Sequence, residues 1–319
     1  MGAMLPGDLN RALFWTGSYS VKVFFVISGF LITSTILSRW GALDRIDIRA
    51  FYRLRFARIA PCLLALLAIL SVLHLAGVPG FVINPQRTNL PRALLAALTF
   101  HVNQLEITHG YLPGAWDILW SLSIEEAFYL IYPLLCRYVR PRYLVALAAL
   151  LFIAGPLFRS ALAPNEMATD YGYLANFDCI ALGCLVAAVP IRFGPVAQFA
   201  GWAGLAVMVF VRPRISGGLD VTVLAVAAAL VIQFERRSPA VLRWFGRNSY
   251  EVYLTHMFVV TLGTQWFASH HVPTGFAPLW FAGTIAAAGL LGFAVAHWYS
   301  EPLNRRLRRK PLLSATVNV

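Results

Sequence analysis

The chain has 319 residues, of which 59% are hydrophobic and only 13% are charged, and its mean hydropathy is +0.68. Because charged residues make up roughly a quarter of a typical soluble domain, this composition excludes an ordinary soluble domain. Apolar runs recur along the whole chain, so the sequence predicts an all-α, polytopic bundle of transmembrane helices. The net charge of +12 does not indicate nucleic acid as a partner, because the arginines lie between the apolar runs, as expected of cytoplasmic loops.

The first predicted span covers residues 19–37. Its small residues Ser28 and Gly29 allow another helix to approach closely, and packing is the simplest role for both. Lys22, near the start of the span, is predicted to extend its ammonium group to the membrane interface. The most basic connector of the chain follows at residues 39–58, and its arginines predict a cytoplasmic loop.

Three arginines of this connector, Arg53, Arg55 and Arg58, allow two interpretations. Arg55 and Arg58 are three residues apart, so on a helix they share a face. Guanidinium groups bind phosphate through two parallel hydrogen bonds, and one interpretation is therefore a phosphate-bearing cytoplasmic ligand. The other is that the cluster only orients the chain in the membrane.

The next part of the chain predicts two spans with a segment between them that does not cross. The spans are expected at residues 61–76 and 120–136. Basic residues at 39–58 and 137–142 place both flanking loops in the cytoplasm, so an even number of crossings separates them. The segment 91–106 is therefore predicted to be re-entrant or interfacial.

The span at 120–136 carries two adjacent carboxylates near its start, Glu125 and Glu126. A charged side chain within a bilayer costs about 2.5–3.5 kcal/mol on insertion scales, so this pair needs a reason. Either the carboxylates only stabilise the N-terminus of the helix, or one of them is a buried acid or base that faces a substrate cavity. At about 100° per residue, Ser121, Glu125 and Tyr129 share a face from which Glu126 is turned away, so Glu125 is the predicted functional carboxylate.

The remainder of the chain alternates apolar runs with short polar segments. Further spans are predicted at residues 143–161, 174–190, 195–211, 218–234, 249–267 and 276–299. The total is about nine spans, with the C-terminus in the cytoplasm. The chain thus divides into a short N-terminal segment (1–18), a membrane domain (19–303) and a basic cytoplasmic tail (304–319).

Candidate chemical groups outside the span at 120–136 are few. Ser249, Tyr253 and His256 share one face of a helix in the span at 249–267. His256 is either a structural hydrogen-bonding residue or a proton carrier. The four cysteines are predicted to be buried thiols, and no metal is predicted because no cluster of His, Cys and carboxylate residues has zinc spacing.

Several blocks of residues carry a family resemblance. They are FFVISGFLI (residues 24–32), Arg55-x-x-Arg58-Ile59-x-Pro61, WSLSIEEAFYL (residues 120–130), Phe177-Asp178 followed by Gly183, and NSYEVYLTH (residues 248–256). Together, and in this order, they resemble the acyltransferase-3 family of integral-membrane O-acyltransferases. Members of that family modify surface polysaccharides, lipopolysaccharide, nodulation factors and macrolides.

The resemblance implies a reaction and a set of site residues. An acyl group, most often acetyl, passes from cytoplasmic acyl-CoA to a hydroxyl group of a carbohydrate or lipid-linked glycan, at the inner (plasma) membrane. Acyl-CoA is then a co-substrate, membrane lipid surrounds the protein, and no cofactor stays bound. In the family the arginine pair holds the CoA phosphates and the first Glu of the WSLS block recurs, which matches Arg55, Arg58 and Glu125. Further predicted substrate contacts are Arg53, Ser28, Trp120, Ser121, Ser123, Tyr129, Asp178 and Tyr253, and His256 is the second candidate catalytic residue.

The chain departs from the family pattern at the family's first helix. That helix carries a basic residue and, about ten residues later, a histidine that is taken as the catalytic base. No such element precedes Phe24, so we expect this helix to be missing and the chain as written to lack that base. His256 is chemically able to accept the proton of a hydroxyl group, although the family does not assign it that role. The alternative function is a membrane transporter or exporter of an acylated metabolite, but the repeats expected of a transporter are not visible.

Overall fold

The computed structural model describes residues 7–189, 193–211, 218–234, 240–270 and 274–308, and for residues 7–16, 234, 268 and 274 it describes the backbone only. Across these ranges every regular element is a helix, which confirms the predicted all-α fold. The helices are α1 (Gly7–Trp40), α2 (Ile48–Leu75), α3 (Leu90–Leu98), α4 (Val102–His109), α5 (Gly114–Asp117), α6 (Leu119–Tyr138), α7 (Pro141–Leu162), α8 (Glu166–Tyr171), α9 (Tyr173–Ala188), α10 (Pro195–Ala206), α11 (Leu219–Phe234), α12 (Ala240–Arg247), α13 (Ser249–Ser269), α14 (Ala277–Val295) and α15 (Glu301–Arg308). Short 3-10 turns lie at Leu43–Arg45 and Thr274–Phe276, and π-helical turns at Val207–Val211 and Ala296–Ser300. The first six residues of the predicted N-terminal segment and residues 309–319 of the predicted tail lie outside the described ranges.

The long apolar helices confirm a polytopic membrane protein. The segments that are long and apolar enough to cross a bilayer are Gly17–Trp40, Ile48–Leu75, Gly114–Tyr138, Pro141–Leu162, Glu166–Ala188 and Ala277–Arg308. Two shorter apolar helices, Pro195–Val211 and Leu219–Gln233, and the 21-residue α13 lie where the sequence predicts further spans. Each predicted span therefore corresponds to a described helix.

The basic connector predicted at residues 39–58 is helical from Ile48 onward, and its cytoplasmic side stays a prediction. Helix α2 begins at Ile48 and not at Pro61, because Asp47 caps its N-terminus: the carboxylate accepts a hydrogen bond from Ala50 N at 3.0 Å. A proline is often the first residue of a helix, but Pro61 lies inside this one. The predicted phosphate-binding arginines consequently project from a helix.

The segment that the sequence predicts to be re-entrant or interfacial forms two short helices, α3 and α4. They have nine and eight residues, whereas a helix needs about 20 residues to span a bilayer. The chain breaks between them at Phe100, whose φ of 56° is uncommon for a residue other than glycine. This geometry agrees with the prediction that the segment does not cross the membrane.

The described helices belong to two compact units, each of which is treated by itself. The first is drawn from Met1–Ile46 and Ile83–Ser238 and contains α1 and α3–α11. The second is drawn from Asp47–Val82 and Pro239–Val319 and contains α2 and α12–α15. The candidate site residues are divided between these units.

In the first unit, two glycines let α1 and α9 pack backbone to backbone. A Cβ atom on Gly29 would lie 2.0 Å from the carbonyl oxygen of Ile180, and one on Gly183 would lie 2.0 Å from that of Val26. No side chain tolerates such distances, so this approach requires glycine at both positions. The predicted packing role of Gly29 is confirmed.

Lys22 does not reach the membrane interface, which corrects the prediction for this residue. Its side chain is 1% exposed, and its ammonium group donates to Asn176 Oδ1 at 2.5 Å and to the carbonyl oxygen of Asp170 at 2.7 Å. The carboxylate of Asp170 lies 3.8 Å away, and the ring centroid of Trp120 lies 5.4 Å away. A buried charge requires such partners, and the chain from α8 to α9 supplies most of them.

In the second unit, two tyrosines join other helical segments to the middle of α2. Tyr250 OH donates to the carbonyl oxygen of Ile59 at 2.9 Å. Tyr299 OH donates to the carbonyl oxygen of Pro61 at 3.2 Å. These bonds attach both α13 and the turn before α15 to the part of α2 that follows its arginines.

Candidate active site

Glu125 lies in a small polar cluster of the first unit, within the apolar helix α6. Ser28 Oγ donates to Glu125 Oε1 at 2.7 Å, and Tyr129 OH donates to the same oxygen. Both donors are buried, whereas Glu125 is half-buried. Hydrogen bonds to a charged carboxylate are stronger than those between neutral groups. The cluster therefore fixes the position of the Glu125 side chain, part of which remains exposed.

The structure brings Glu125 and Tyr129 together, as their shared helix face predicts, and it adds Ser28 from α1. Ser121, from the same predicted face, donates to a backbone carbonyl oxygen one turn earlier at 3.2 Å. The neighbouring Glu126 is only 6% exposed. Glu125 is therefore the more accessible carboxylate of the pair, which favours it as the group that meets a substrate.

A second group of titratable side chains surrounds Tyr171 in the first unit. The rings of Trp120 and Tyr171 stack with centroids 4.1 Å apart, and Tyr171 OH donates to Asp117 Oδ1 at 2.9 Å. Asp117 interacts with the carboxyl group of Glu106, which is fully buried and accepts a hydrogen bond from Leu112 N at 3.0 Å. Burial, reinforced by the Asp117 carboxylate, raises the pKa of Glu106 well above its ordinary value. From this group the sequence singled out only Trp120.

Two predicted substrate contacts, Ser123 and Asp178, bind other groups of the protein. Ser123 Oγ donates to the carbonyl oxygen of Leu119 at 2.9 Å and accepts from Val102 N at 3.1 Å, which joins α4 to α6. Asp178 is fully buried and forms an ion pair with Arg159 at 2.7 Å. These contacts favour a structural role for both residues, and their contact with substrate stays a prediction.

Arg159 is a structural residue that the sequence analysis missed. Besides its ion pair with Asp178, it donates to the carbonyl oxygens of Ala175 at 2.8 Å and Gly218 at 3.0 Å, and to Thr222 Oγ1 at 2.8 Å. It thereby links α7 to α9 and α11. A signal existed in the sequence, because an arginine at the outward end of a predicted span opposes the positive-inside bias.

The predicted phosphate-binding arginines belong to the second unit and lie on α2. Arg53 is exposed and Arg55 is half-buried. Arg58, 26% of whose side chain is exposed, forms a two-pronged ion pair with Glu251, with Nη1–Oε1 at 3.0 Å and Nη2–Oε2 at 3.1 Å. Sequence reasoning missed this partner, although Glu251 lies within the NSYEVYLTH block. Arg55 and Arg58 share a face of α2, and the binding of phosphate by the three arginines stays a prediction.

His256 is half-buried in α13, in the second unit. Its Nδ1 lies 2.6 Å from the carbonyl oxygen of Tyr253, and the two rings are tilted by 40° with centroids 5.7 Å apart. A carbonyl oxygen only accepts hydrogen bonds, so Nδ1 carries a proton and Nε2 is the basic nitrogen of the neutral ring. The geometry therefore leaves His256 one nitrogen that can accept a proton.

The thiols and the candidate metal ligands add no further centre. All four cysteines are buried and free, as predicted. Over the described ranges, no three His, Cys, Asp or Glu side chains converge in a group that could hold a metal ion. The candidate chemistry thus depends on carboxylates, arginines and a histidine.

A comparison of the sequence with protein families identifies the family of the chain. The profile of a family described as an acyltransferase domain, acyltransferase-3, matches residues 5–298. The chain belongs to this acyltransferase family. The match includes every sequence block described above, from the first glycine-containing span to the helix that holds His256, and it confirms the resemblance that those blocks predict.

Several bacterial proteins have similar sequences. The O-acetyltransferase OatA of Staphylococcus aureus is 22% identical over 300 residues, which cover 83% of this chain and 49% of that protein. The peptidoglycan O-acetyltransferase OatA of Listeria monocytogenes is 25% identical over 302 residues, which cover 82% of this chain and 48% of that protein. An uncharacterized protein of Haemophilus influenzae is 29% identical over 184 residues, which cover 52% of this chain and 73% of that protein. The chain thus spans about half the length of its OatA relatives, and no solved structure matches it.

Proposed function

We propose that this chain is an integral-membrane O-acetyltransferase that moves an acetyl group from acetyl-CoA to a hydroxyl group of peptidoglycan or a related glycan. The family match supports the reaction class, and the relatives' names support acetyl as the group and, for the Listeria protein, peptidoglycan as the acceptor. The observation that carries the chemical part of the proposal is the carboxylate of Glu125, held by Ser28 and Tyr129 inside an apolar helix.

In the proposed reaction, the oxygen of the acceptor hydroxyl group attacks the carbonyl carbon of the thioester. A C–O bond forms, the C–S bond breaks, and the sulfur of CoA leaves. Glu125 takes the hydroxyl proton as a general base, and this proton finally resides on the CoA thiol. Because Ser28 and Tyr129 bind one oxygen of the carboxylate, the base is fixed before the substrate arrives, which lowers the ordering cost of the reaction.

The donor side of the proposed reaction uses the arginines of α2. Acetyl-CoA carries several phosphate groups, and guanidinium groups bind phosphate through pairs of hydrogen bonds. Arg53, Arg55 and Arg58 are assigned this task in the proposal. The basic residues of α15, namely Arg305, Arg306 and Arg308, support a C-terminus on the cytoplasmic side of the plasma membrane, where acetyl-CoA is available.

The proposal is tested with membranes from cells that express the chain and with matched membranes that lack it. Both are incubated with acetyl-CoA that is labelled in its acetyl group and with peptidoglycan. We expect label in the glycan as an ester that mild alkali releases, in the first sample only. Label that stays on CoA contradicts the proposal, and label that crosses sealed vesicles without entering glycan favours the exporter alternative.

A further inference from the structure

Glu251 is a buried carboxylate of α13 to which the proposed reaction assigns no part. It has no solvent-exposed surface, and both of its oxygens accept hydrogen bonds from Arg58, one from Nη1 at 3.0 Å and one from Nη2 at 3.1 Å. Two parallel bonds fix the plane of a guanidinium group as well as its position. An unpaired buried carboxylate is strongly destabilising, so the ion pair with Arg58 also offsets the cost of burying Glu251.

Other contacts within the second unit hold the guanidinium group of Arg58 in the same orientation. Its central carbon lies 5.5 Å from the ring centroid of Tyr250, which is a favourable cation–π distance. Tyr250 is itself bound to the backbone of α2 through the carbonyl oxygen of Ile59. Nη2 of Arg58 also lies 3.5 Å from the carbonyl oxygen of Arg247. The guanidinium group therefore contacts a carboxylate, a ring and a backbone carbonyl group.

This arrangement leaves Arg58 with further hydrogen-bonding capacity. Arginine has five N–H donors, and the hydrogen bonds described for Arg58 use Nη1 once and Nη2 twice. The Nε–H group and the second N–H of Nη1 are not used by these bonds. About a quarter of the side chain is exposed, 26%, so an anion can approach the guanidinium group.

We propose that Glu251 is a positioning residue for the acyl donor, because it fixes the Arg58 guanidinium group so that the remaining N–H donors meet a phosphate group of the donor. This rests on the proposed function, in which the arginines of α2 bind a phosphate-bearing acyl donor. Without Glu251 the guanidinium group of Arg58 loses the two parallel bonds that fix its plane, and phosphate binding has to order it each time, which weakens affinity. Glu251 therefore acts on donor binding through Arg58.

The test measures the affinity of the purified protein, in detergent, for acetyl-CoA. The variants are Glu251→Gln, which keeps the size of the side chain and removes its charge, Arg58→Ala, and the double variant. We expect each single substitution to weaken binding about tenfold or more. The double variant should bind no more weakly than Arg58→Ala alone, because Glu251 has no effect on the donor except through Arg58.

A matched carboxylate provides the control. Glu301 pairs with Arg305 at 2.9 Å on the surface of the same unit, and such exposed pairs contribute little, so Glu301→Gln should bind acetyl-CoA as the wild type does. Wild-type affinity in a folded Glu251→Gln protein overturns the proposal. A double variant whose loss is the product of the two single losses also overturns it. Thermal unfolding of each variant in the same detergent shows which variants are folded.

If Glu251→Gln does not fold, Arg58→Lys serves as the second variant. Lysine keeps the positive charge but cannot form two parallel bonds with a carboxylate, so we expect Arg58→Lys to lose as much affinity for acetyl-CoA as Arg58→Ala. Wild-type affinity of Arg58→Lys overturns the proposal.

Separate measurements of acetyl-CoA binding and of acetyl transfer distinguish this proposal from the proposed function. A protein whose acetyl-CoA binding depends on Glu251 but which transfers no acetyl group contradicts only the proposed function, and a wild type that binds no acetyl-CoA contradicts both.

Discussion

Among single residues, Glu125 and Glu106 show how partners decide what a carboxyl group in this protein can do. Glu125 accepts hydrogen bonds from two hydroxyl groups, those of Ser28 and Tyr129. Glu106 is buried beside another carboxyl group, that of Asp117. The first arrangement fixes the position of a carboxylate, and the second favours a carboxyl group that holds a proton.

Substitution of Ser28 tests the first arrangement. Ser28→Ala removes one of the two hydroxyl donors that fix the position of the Glu125 carboxylate, and misplacement of a catalytic group by about 1 Å can cost roughly a hundredfold in rate. We therefore expect the rate of acetyl transfer to fall about tenfold or more. The control is Ser38→Ala on the same helix, because Ser38 is exposed and donates to the nearby carbonyl oxygen of Thr35. Equal rates for the two variants would show that Ser28 does not support Glu125.

Substitution of Glu106 tests the second arrangement through the pH dependence of stability. The raised pKa means that the folded state binds the Glu106 proton more tightly than the unfolded chain, so stability falls as pH rises above the ordinary pKa of 4.5. The loss amounts to at most about 1.4 kcal/mol per pH unit. Glu106→Gln removes this contribution, so its unfolding temperature should fall less than that of the wild type between pH 5 and pH 8. Glu166→Gln, at an exposed carboxylate, should follow the wild type; the same slope in Glu106→Gln and wild type would exclude a protonated Glu106.

The contacts that could be predicted from the sequence are those within one helix. Glu125 and Tyr129 are one helical turn apart, and helical periodicity shows such neighbours directly. The partners of Glu125, Lys22 and Arg58 on other helices were not predictable, because they are 97, 154 and 193 positions away in the chain. These partners are Ser28, Asn176 and Glu251. Lys22 was wrongly assigned to the membrane interface for this reason, since no local pattern shows which helices pack against each other.

At the scale of the helices, the hydropathy of the sequence predicted where each membrane-spanning helix lies, but it did not predict where several of them begin or end. An apolar run identifies the part of a helix that lies in the bilayer, and it says nothing about a polar extension of the same helix. Helix α2 therefore began earlier than predicted, at Ile48, where Asp47 provides the cap. Its arginines alone suggested a loop, and only the capped start shows that they are helical.

The contact between α1 and α9 gives a prediction at this scale. Gly29→Ala places a Cβ atom 2.0 Å from the carbonyl oxygen of Ile180, so the helices must separate and we expect a loss of roughly 1–3 kcal/mol in stability. Gly17→Ala on the same helix places its Cβ atom in open space, and it should be neutral or slightly stabilising because alanine is the better helix former. Thermal unfolding in detergent compares them, and a Gly29→Ala protein as stable as Gly17→Ala would refute the close packing.

For the whole molecule, composition and the periodicity of apolar runs predicted the class of fold, and each predicted span corresponds to a described helix. The division of the helices into two compact units was not predicted. Units assembled from separate stretches of chain depend on contacts between distant segments, and these leave no local signature in the sequence. The expected absence of the family's first helix stays a prediction.

The family was also predictable from the sequence, because the five motifs place polar residues within apolar helices, where such residues are rare. Two adjacent carboxylates within an apolar run are costly, and such residues are retained mainly for function. The chain spans about half the length of its OatA relatives, so its donor and acceptor are proposals that depend on the clusters around Glu125 and Arg58.

The role of Glu125 is tested most directly by comparing Glu125→Gln with Glu126→Gln in the transfer of labelled acetyl groups from acetyl-CoA to peptidoglycan. Both variants replace a carboxylate by an amide of the same size at neighbouring positions of α6. A general base contributes about 10²–10⁴-fold to a rate, so Glu125→Gln should lose at least about a hundredfold while Glu126→Gln keeps most of the wild-type rate. Equal losses in the two variants, or a Glu125→Gln protein that transfers at the wild-type rate, would contradict the assignment of Glu125 as the base.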